Sequence, residues 1–367
     1  MRAVVCSDYN ESIVTEVDRP APGPTEVLLE VRRVQLSVTE CNLFRGEALT
    51  HGQSVAERLD SSSNARLFGH EFCGVIVEAG AEVRDLSVGD RVYAPGKIPC
   101  GTCVTCQRGY FHFCKNKENI GYERPGALSE YFTAPARSLE RLPDDISDAE
   151  GAAMQPLAST VISLHDSEID TGDVVVVMGL GVTGSQAAQL ARIHGAGRVF
   201  GCDIVEDKLR IADRYGIETI DGRDQNAVDR ILDETDGIGA DVVIDAVGGH
   251  EERLTDGSDP IAQGFDMLRE GGLILQIGHI ADDISMSGRD LRDKCLTWRH
   301  PRRGNPTLGP NSTPGRFATS VVSDGRVTIS DHITHELNGL DSFEKAVEIT
   351  LNKAEYGALG PAQIVLQ

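Results

Sequence analysis

The 367-residue sequence is poor in lysine, with 7 against 28 Arg, while 31 Asp and 26 Glu bring its formal net charge to −22. Aromatic residues make up only 5 %, with a single Trp. No run reaches the roughly 18 apolar residues of a membrane span. The start, Met1-Arg2-Ala3-Val4-Val5-Cys6, lacks the apolar region of a signal peptide. The shortage of positive charge argues against nucleic acid and anionic membrane as partners, because a negative field repels both. It also makes the surface repel itself, an effect that fades as the screening length falls to about 3 Å at molar salt. Scarce Lys with abundant Asp reads as a cytoplasmic protein of a salt-accumulating organism. An ordinary acidic protein of pI near 4.8 is the plainer alternative. What remains is globular: 40 % hydrophobic and 25 % charged residues, on a length that suggests two domains with a core each.

Cysteine, by contrast, is plentiful and clustered. Of nine cysteines, four form Cys100-Gly101-Thr102-Cys103-Val104-Thr105-Cys106 with Cys114 following. Without an export signal this points to metal or free thiols and away from a disulfide framework. Four thiolates at this spacing can close a tetrahedral zinc shell with no open position, as in a structural site. Iron–sulfur ligation is the chemical alternative.

Residues 1–34 read as short strands, Val27-Leu28-Leu29-Glu30-Val31 among them, and residues 72–93 continue the β pattern. Residues 46–66 read as an exposed polar loop. The pattern changes near residue 170. Val174-Val175-Val176-Val177 is an uninterrupted apolar strand of the kind buried parallel sheets require. Strands and helices then alternate to Gly272–Ile277, which predicts a doubly wound parallel sheet. Gly179-Leu180-Gly181-Val182-Thr183-Gly184 follows the Val strand and opens a helix. Gly179 allows a tight turn, Gly181 a close approach of backbone to pyrophosphate, and Gly184 close packing of helix on strand. Asp203 ends the next strand, where a carboxylate accepts from ribose hydroxyls and repels a 2′-phosphate. NAD is therefore expected over NADP, with Arg210 able to help hold a phosphate if NADP is used. Val182, Val247 and Ile277 complete the expected cofactor contacts.

With Gly69-His70-Glu71, Gly74-Val75-Ile76-Val77-Glu78-Ala79-Gly80, Val88-Gly89-Asp90-Arg91-Val92 and Gly239-Ala240-Asp241-Val242-Val243-Ile244-Asp245, these motifs make the sequence resemble the medium-chain zinc-dependent alcohol dehydrogenases over nearly its whole length. The resemblance implies an α/β chain. A GroES-like, mainly-β catalytic domain with a structural-zinc lobe would span residues 1–160. A Rossmann NAD(P)-binding domain would span 161–298, and residues 299–367 would return to the catalytic domain. It implies hydride exchange between a small-molecule alcohol and NAD(P) at a catalytic zinc, in a homodimer or homotetramer. Gln155 stands where polyol, threonine and glucose dehydrogenases usually carry Glu before Pro-Leu, which points to that branch.

The resemblance breaks at one place. Ser37-Val38-Thr39-Glu40 occupies the position of the family's Cys-Gly-Thr/Ser-Asp, so a hydroxyl replaces the first zinc ligand. Three arrangements stay open: metal held by His70, Glu71 and water with Ser37 or Gln155 as weak ligands; Cys41 as a substitute thiolate; or no metal at all. Thr39 matches the family's proton-relaying hydroxyl, with turn capping as its alternative. His51 reads as a solvated loop residue, with Asn42 at the family's second relay position, and His165 reads as packed. Thr297-Trp298-Arg299-His300-Pro301-Arg302-Arg303-Gly304 is a basic, aromatic stretch read either as an anion-binding element or as a solvated turn or subunit contact. Two other functions compete with the dehydrogenase reading: a zinc-independent quinone or enone reductase, and a catalytically inactive NAD-binding homologue.

Overall fold

The computed structural model describes residues 1–47, 50–62, 64–248, 260–280, 288–301, 308 and 312–366. The chain divides into two units, Met1–Ser159 with Gly304–Gln367, and Thr160–Arg303.

The first unit is built on the strand Glu26–Gln35, which pairs antiparallel with Glu71–Ala79, Tyr131–Pro135 and Gln363–Val365. The last of these places the end of the chain in the same sheet as its beginning, Ile364 opposite Val34. Val27, Leu29 and Val31 alternate into a core with Phe72, Ile76 and Phe132. Phe72 and Phe132 meet edge to face at 4.8 Å. Residues 46–66 are more than a loop, because Gly52–Ser61 is a helix. Val55 and Leu59 fall one turn apart, Val55 is fully buried, and Arg58 between them donates to the carbonyls of Tyr122 and Glu123. The polar outer face hides this two-residue apolar stripe from a reading of composition.

The second unit carries six parallel strands in the order Glu218–Asp221, Arg198–Asp203, Val174–Met178, Ala240–Asp245, Leu268–Gln276, Thr297–Arg299. The chain winds outward from the central Val174 strand in both directions, the doubly wound arrangement that binds dinucleotides at its switch point. Val175, Val176 and Val177 are fully buried, as a strand covered on both faces requires. The expected α/β architecture, a mainly-β sheet unit and a doubly wound parallel sheet, is what the structure contains. Among the described residues no helix is long and apolar enough to cross a membrane.

Candidate functional site

In the cysteine lobe the Sγ atoms of Cys100, Cys103, Cys106 and Cys114 all lie within 4.8 Å of one another. The short helix Val104–Gln107 carries Cys106, and the turn Phe111–Phe113 delivers Cys114. The Thr105 hydroxyl holds Cys103 down to about 6, while burial and the neighbouring sulfurs push Cys106 up to about 12. Four thiolates this close repel one another without a cation, and their number and spacing fit tetrahedral zinc.

A second cluster forms where Gly69-His70-Glu71 enters the strand Glu71–Ala79. Gly69 adopts φ +82°, and a Cβ there would lie 2.9 Å from the backbone nitrogens of Ala127 and Leu128, so only glycine fits. Glu40 reaches across from the helix Val38–Phe44. Its Oε1 accepts from the His70 backbone N–H at 3.1 Å and lies 2.7 Å from His70 Nδ1. In the neutral ring this bond places the proton on Nδ1 and leaves the lone pair on Nε2, 3.7 Å from Glu71 Oε1, so metal binding there displaces the second proton of the imidazolium. Burial opposes charge on His70, but Glu40 outweighs it and lifts the imidazole to about 9; burial lifts Glu71 to about 7. Glu71 Oε2 accepts from Gln35 Nε2 at 2.6 Å, and Gln35 Oε1 accepts from Gln363 Nε2 at 3.2 Å. Gln35, Glu71 and Gln363 are buried, so this chain of amides ties the C-terminal strand to the cluster.

The other expected ligands are committed elsewhere. Ser37 caps the helix Val38–Phe44, its Oγ accepting from the Glu40 N–H at 3.1 Å, and it also bonds with the Tyr122 hydroxyl. Gln155 donates to Ser159 Oγ at 3.0 Å, leaving its carbonyl oxygen free of that bond. The buried Cys41 thiol bonds Thr350, and burial holds its pKa far above neutrality. His70 and Glu71 thus fit a divalent metal with nitrogen and oxygen donors, without a thiolate. Thr39 is half-buried, and its hydroxyl has no hydrogen-bond partner among the described residues.

Three residues differ from the sequence reading. His51 is no solvated side chain: it stacks on the Tyr122 ring at 4.5 Å and 9°, and burial lowers its pKa to about 4. Its left-handed backbone, φ 61°, starts the helix Gly52–Ser61 and turns the ring inward. His165 is exposed, because it follows the end of the helix Met154–Leu164. Tyr122 carries no signal in the sequence. It is buried, bonded to Ser37 and 5.5 Å from the His70 ring, yet no spacing around Gly121-Tyr122-Glu123 marks it.

In the second unit the three glycines take the places expected of them. Gly179 adopts φ +85°, with Val247 Cγ2 3.0 Å from where a Cβ would be. Gly181 has open space there, and a Cβ on Gly184 would strike the Gly179 carbonyl at 1.8 Å. Asp203 is buried. It accepts from the N–H groups of Leu180 at 2.7 Å, Ile204 at 2.8 Å and Val205 at 2.9 Å, with Lys208 Nζ 3.6 Å away. Arg210 pairs with Asp207 and Glu206 on its own helix. Val182 opens the helix Val182–His194, and Val247 and Ile277 follow the strands ending at Asp245 and Gln276. Arg302, Arg303 and Gly304 lie outside the described residues. Of the rest of that stretch, Trp298 donates to Gln276 at 3.1 Å, and Arg299 is spent on the Asp166 carbonyl and on Glu168.

The chain matches two family models, the alcohol dehydrogenase GroES-like domain over residues 23–144 and the zinc-binding dehydrogenase over residues 182–317. It is 30 % identical to a sorbitol dehydrogenase of Halalkalibacterium halodurans over 94 % of this chain and 95 % of that one. It is 28 % identical to an erythritol/L-threitol dehydrogenase of Mycolicibacterium smegmatis over 97 % and 95 %. Among solved structures it resembles a zinc-binding dehydrogenase of Sinorhizobium meliloti bound to NADP. That likeness has a TM-score of 0.84 at 27 % identity and covers 100 % of this chain and 99 % of that one.

Proposed function

This chain belongs to the medium-chain zinc-dependent alcohol dehydrogenases, and we propose that it oxidises a polyol or sugar alcohol with NAD as its preferred cofactor. That it is an NAD(P)-dependent dehydrogenase follows from the family. The polyol substrate is supported by Gln155 in the Glu position of the polyol branch and by the sorbitol and erythritol/threitol enzymes among its relatives. NAD is favoured because Asp203 keeps a carboxylate beside the glycine turn, while Arg210 is engaged with its own helix.

The observation that carries the reading is the Glu40–His70–Glu71 arrangement. A metal held by His70 Nε2 and Glu71, when bound, would polarise the alcohol oxygen and ease its deprotonation. The rest is the work of this chain's side chains. Glu40 fixes the His70 tautomer, and Gln35 orients Glu71. Thr39, with its hydroxyl unengaged, takes the alcohol proton toward solvent. The N–H groups at the start of Val182–His194, behind the Gly181 cap, would hold the pyrophosphate of a bound cofactor. The cysteine lobe takes the structural zinc. The protein works as a homo-oligomer in a cytoplasm rich in salt, where screening relieves a net charge of −22.

The test is metal content by mass spectrometry, paired with NAD reduction over a panel of polyols. Two zinc per chain and turnover of a polyol are expected. One zinc per chain, with turnover only of a quinone or enone, would replace this reading by the zinc-independent reductase, which the lack of a thiolate at Ser37 favours. Cofactor affinity and stability should both rise with KCl toward molar concentration; full values in dilute buffer would remove the salt-adapted reading.

A further inference from the structure

Among the described residues, six that are not glycine adopt a positive φ. Five of them, Asn10, His51, Glu168, Asp236 and Cys295, are exposed or half-buried. The sixth, Phe68 at φ 66°, is 1 % exposed and stands two residues before His70. A bulky side chain in the left-handed region is a steric outlier, because its Cβ crowds the following carbonyl oxygen. Gly69 follows at φ +82°, so two successive left-handed residues lead into His70. A conformation that costs free energy persists only where its surroundings over-determine it, and such residues gather at functional sites.

The surroundings of Phe68 do over-determine it. Its N–H donates to the Gly121 carbonyl at 2.7 Å, and the Gly69 carbonyl accepts from the Ala127 N–H at 3.1 Å. A Cβ on Gly126 would lie 1.6 Å from the Phe68 carbonyl oxygen, and one on Gly121 would lie 2.8 Å from its carbonyl carbon. Both positions of the facing turn therefore need glycine to leave room for this peptide. The turn is braced in its own right, since Arg58 donates to the carbonyls of Tyr122 and Glu123 and Ser54 donates to the Glu123 carboxylate. The Phe68 ring meets Phe44 edge to face at 6.3 Å and stacks on Phe343 at 6.5 Å and 14°. Phe44 ends the helix Val38–Phe44, which also carries Glu40.

We propose that Phe68 is a positioning residue: its backbone, held left-handed by the turn 121–127 and by the rings of Phe44 and Phe343, sets the direction in which the chain enters His70. That direction matters because a single oxygen, Glu40 Oε1, serves His70 twice. It accepts from the backbone N–H at 3.1 Å and lies 2.7 Å from Nδ1. Both contacts hold only while the His70 backbone and ring turn the same side to the helix. An extended residue 68 would swing the His70 N–H away from Glu40 and free the ring. Ring burial and the hydrogen bonds to the turn offset the strain, so the fold stabilises a geometry that residue 68 alone would not adopt. The consequence for the reaction rests on His70 as a metal donor, as proposed above; the geometry itself does not.

The test is a series of full-length variants, Phe68→Leu, Phe68→Val, Phe68→Ala and Phe68→Gly, with retention of zinc in the cysteine lobe as the control for folding. If Phe68 only filled space, damage would grow with lost volume, from Leu through Val and Ala to Gly. A backbone role gives another order. Phe68→Gly should be more stable than Phe68→Ala, by about fivefold in the unfolding equilibrium, because glycine alone takes φ 66° freely. In protein holding zinc in the lobe alone, the His70 backbone N–H should exchange with solvent within about threefold of the wild-type rate in Phe68→Gly. It should exchange at least about tenfold faster in Phe68→Val, since a β-branched residue tolerates the left-handed region least. Zinc affinity at His70, read by competition with a chromophoric chelator, should fall about tenfold in Phe68→Val and about twofold or less in Phe68→Gly. If Phe68→Val fails the folding control, the Gly and Ala variants decide by the same readouts. Stability, exchange and zinc affinity that all follow side-chain volume, with Phe68→Gly the worst, would make Phe68 a packing residue and overturn the inference. A wild type that takes no second zinc would overturn the metal reading, while the stability and exchange orders still decide this one.

Discussion

In the cysteine lobe four sulfurs from a fifteen-residue segment converge within 4.8 Å, whereas at His70 two donors from adjacent residues stand 3.7 Å apart and are steadied by three other stretches of chain. The lobe carries its four candidate ligands locally, so a metal bound there would couple directly to its folding. The His70 cluster is assembled from a helix, two strands and the last strand of the chain, and it has no thiolate, residue 37 being a Ser whose hydroxyl caps the helix Val38–Phe44. A site whose ligands are local and soft is overdetermined. A site with only two donors, imidazole and carboxylate, depends on the residues behind them, which come from distant stretches of chain.

The largest way to break this contrast is Cys114→Ser. The lobe should lose its zinc, one ion per chain by mass spectrometry, together with about 5 kcal/mol or more of unfolding free energy, since structural zinc binding is folding energy. A variant that melts with the wild type would show that the lobe holds its shape without metal. Next comes Glu40→Gln at the other cluster. It removes the charge that fixes the His70 tautomer, and metal affinity and turnover should fall about 10- to 100-fold while melting changes little. Equal metal affinity in variant and wild type would mean that His70 is oriented by something other than Glu40.

Ser37→Cys sharpens the comparison from the opposite side. It restores a thiolate beside His70 and should tighten metal binding about tenfold, read by competition with a chromophoric chelator. Cobalt substituted at this site should then gain a thiolate charge-transfer band beyond that of the lobe. The new side chain also gives up the bond to Tyr122, so no gain in affinity would indicate that the Ser37–Tyr122 pair closes the position to metal.

The difference between the two clusters is also a difference in legibility. The lobe could be read from spacing alone, because its ligands are neighbours in sequence. The glycine turn could be read for the same reason, and Gly179, Gly181 and Gly184 occupy the three geometries their spacing implies. His70 and Glu71 were visible as a motif, but Gln35, Tyr122 and Gln363 were not. Each reaches the site through a tertiary contact from a stretch with no chemical signature of its own. The helix Gly52–Ser61 is not legible in the sequence because only Val55 is fully buried on it, and the place of His51 is illegible with it, since its stacking on Tyr122 depends on where that helix begins.

Gln363 offers the smallest and most selective test. Its Nε2 donates both to Gln35 Oε1 at 3.2 Å and to the Ala149 carbonyl at 2.8 Å, and Gln35 in turn holds Glu71. Gln363→Leu removes both donors from a fully buried position and leaves Gln35 Oε1 unpaired, at a cost of about 1–3 kcal/mol in stability. Freed of that partner, the Gln35 amide can turn and carry Glu71 with it, so metal affinity should fall by about 2- to 5-fold although Gln363 touches neither donor. Gln363→Glu discriminates the two effects. It keeps the side chain's size but places an acceptor against Gln35 Oε1 and Ala149 O, so metal affinity should fall further than in the Leu variant. A loss of stability in both variants with metal affinity unmoved would confine Gln363 to packing and detach the last strand from the site.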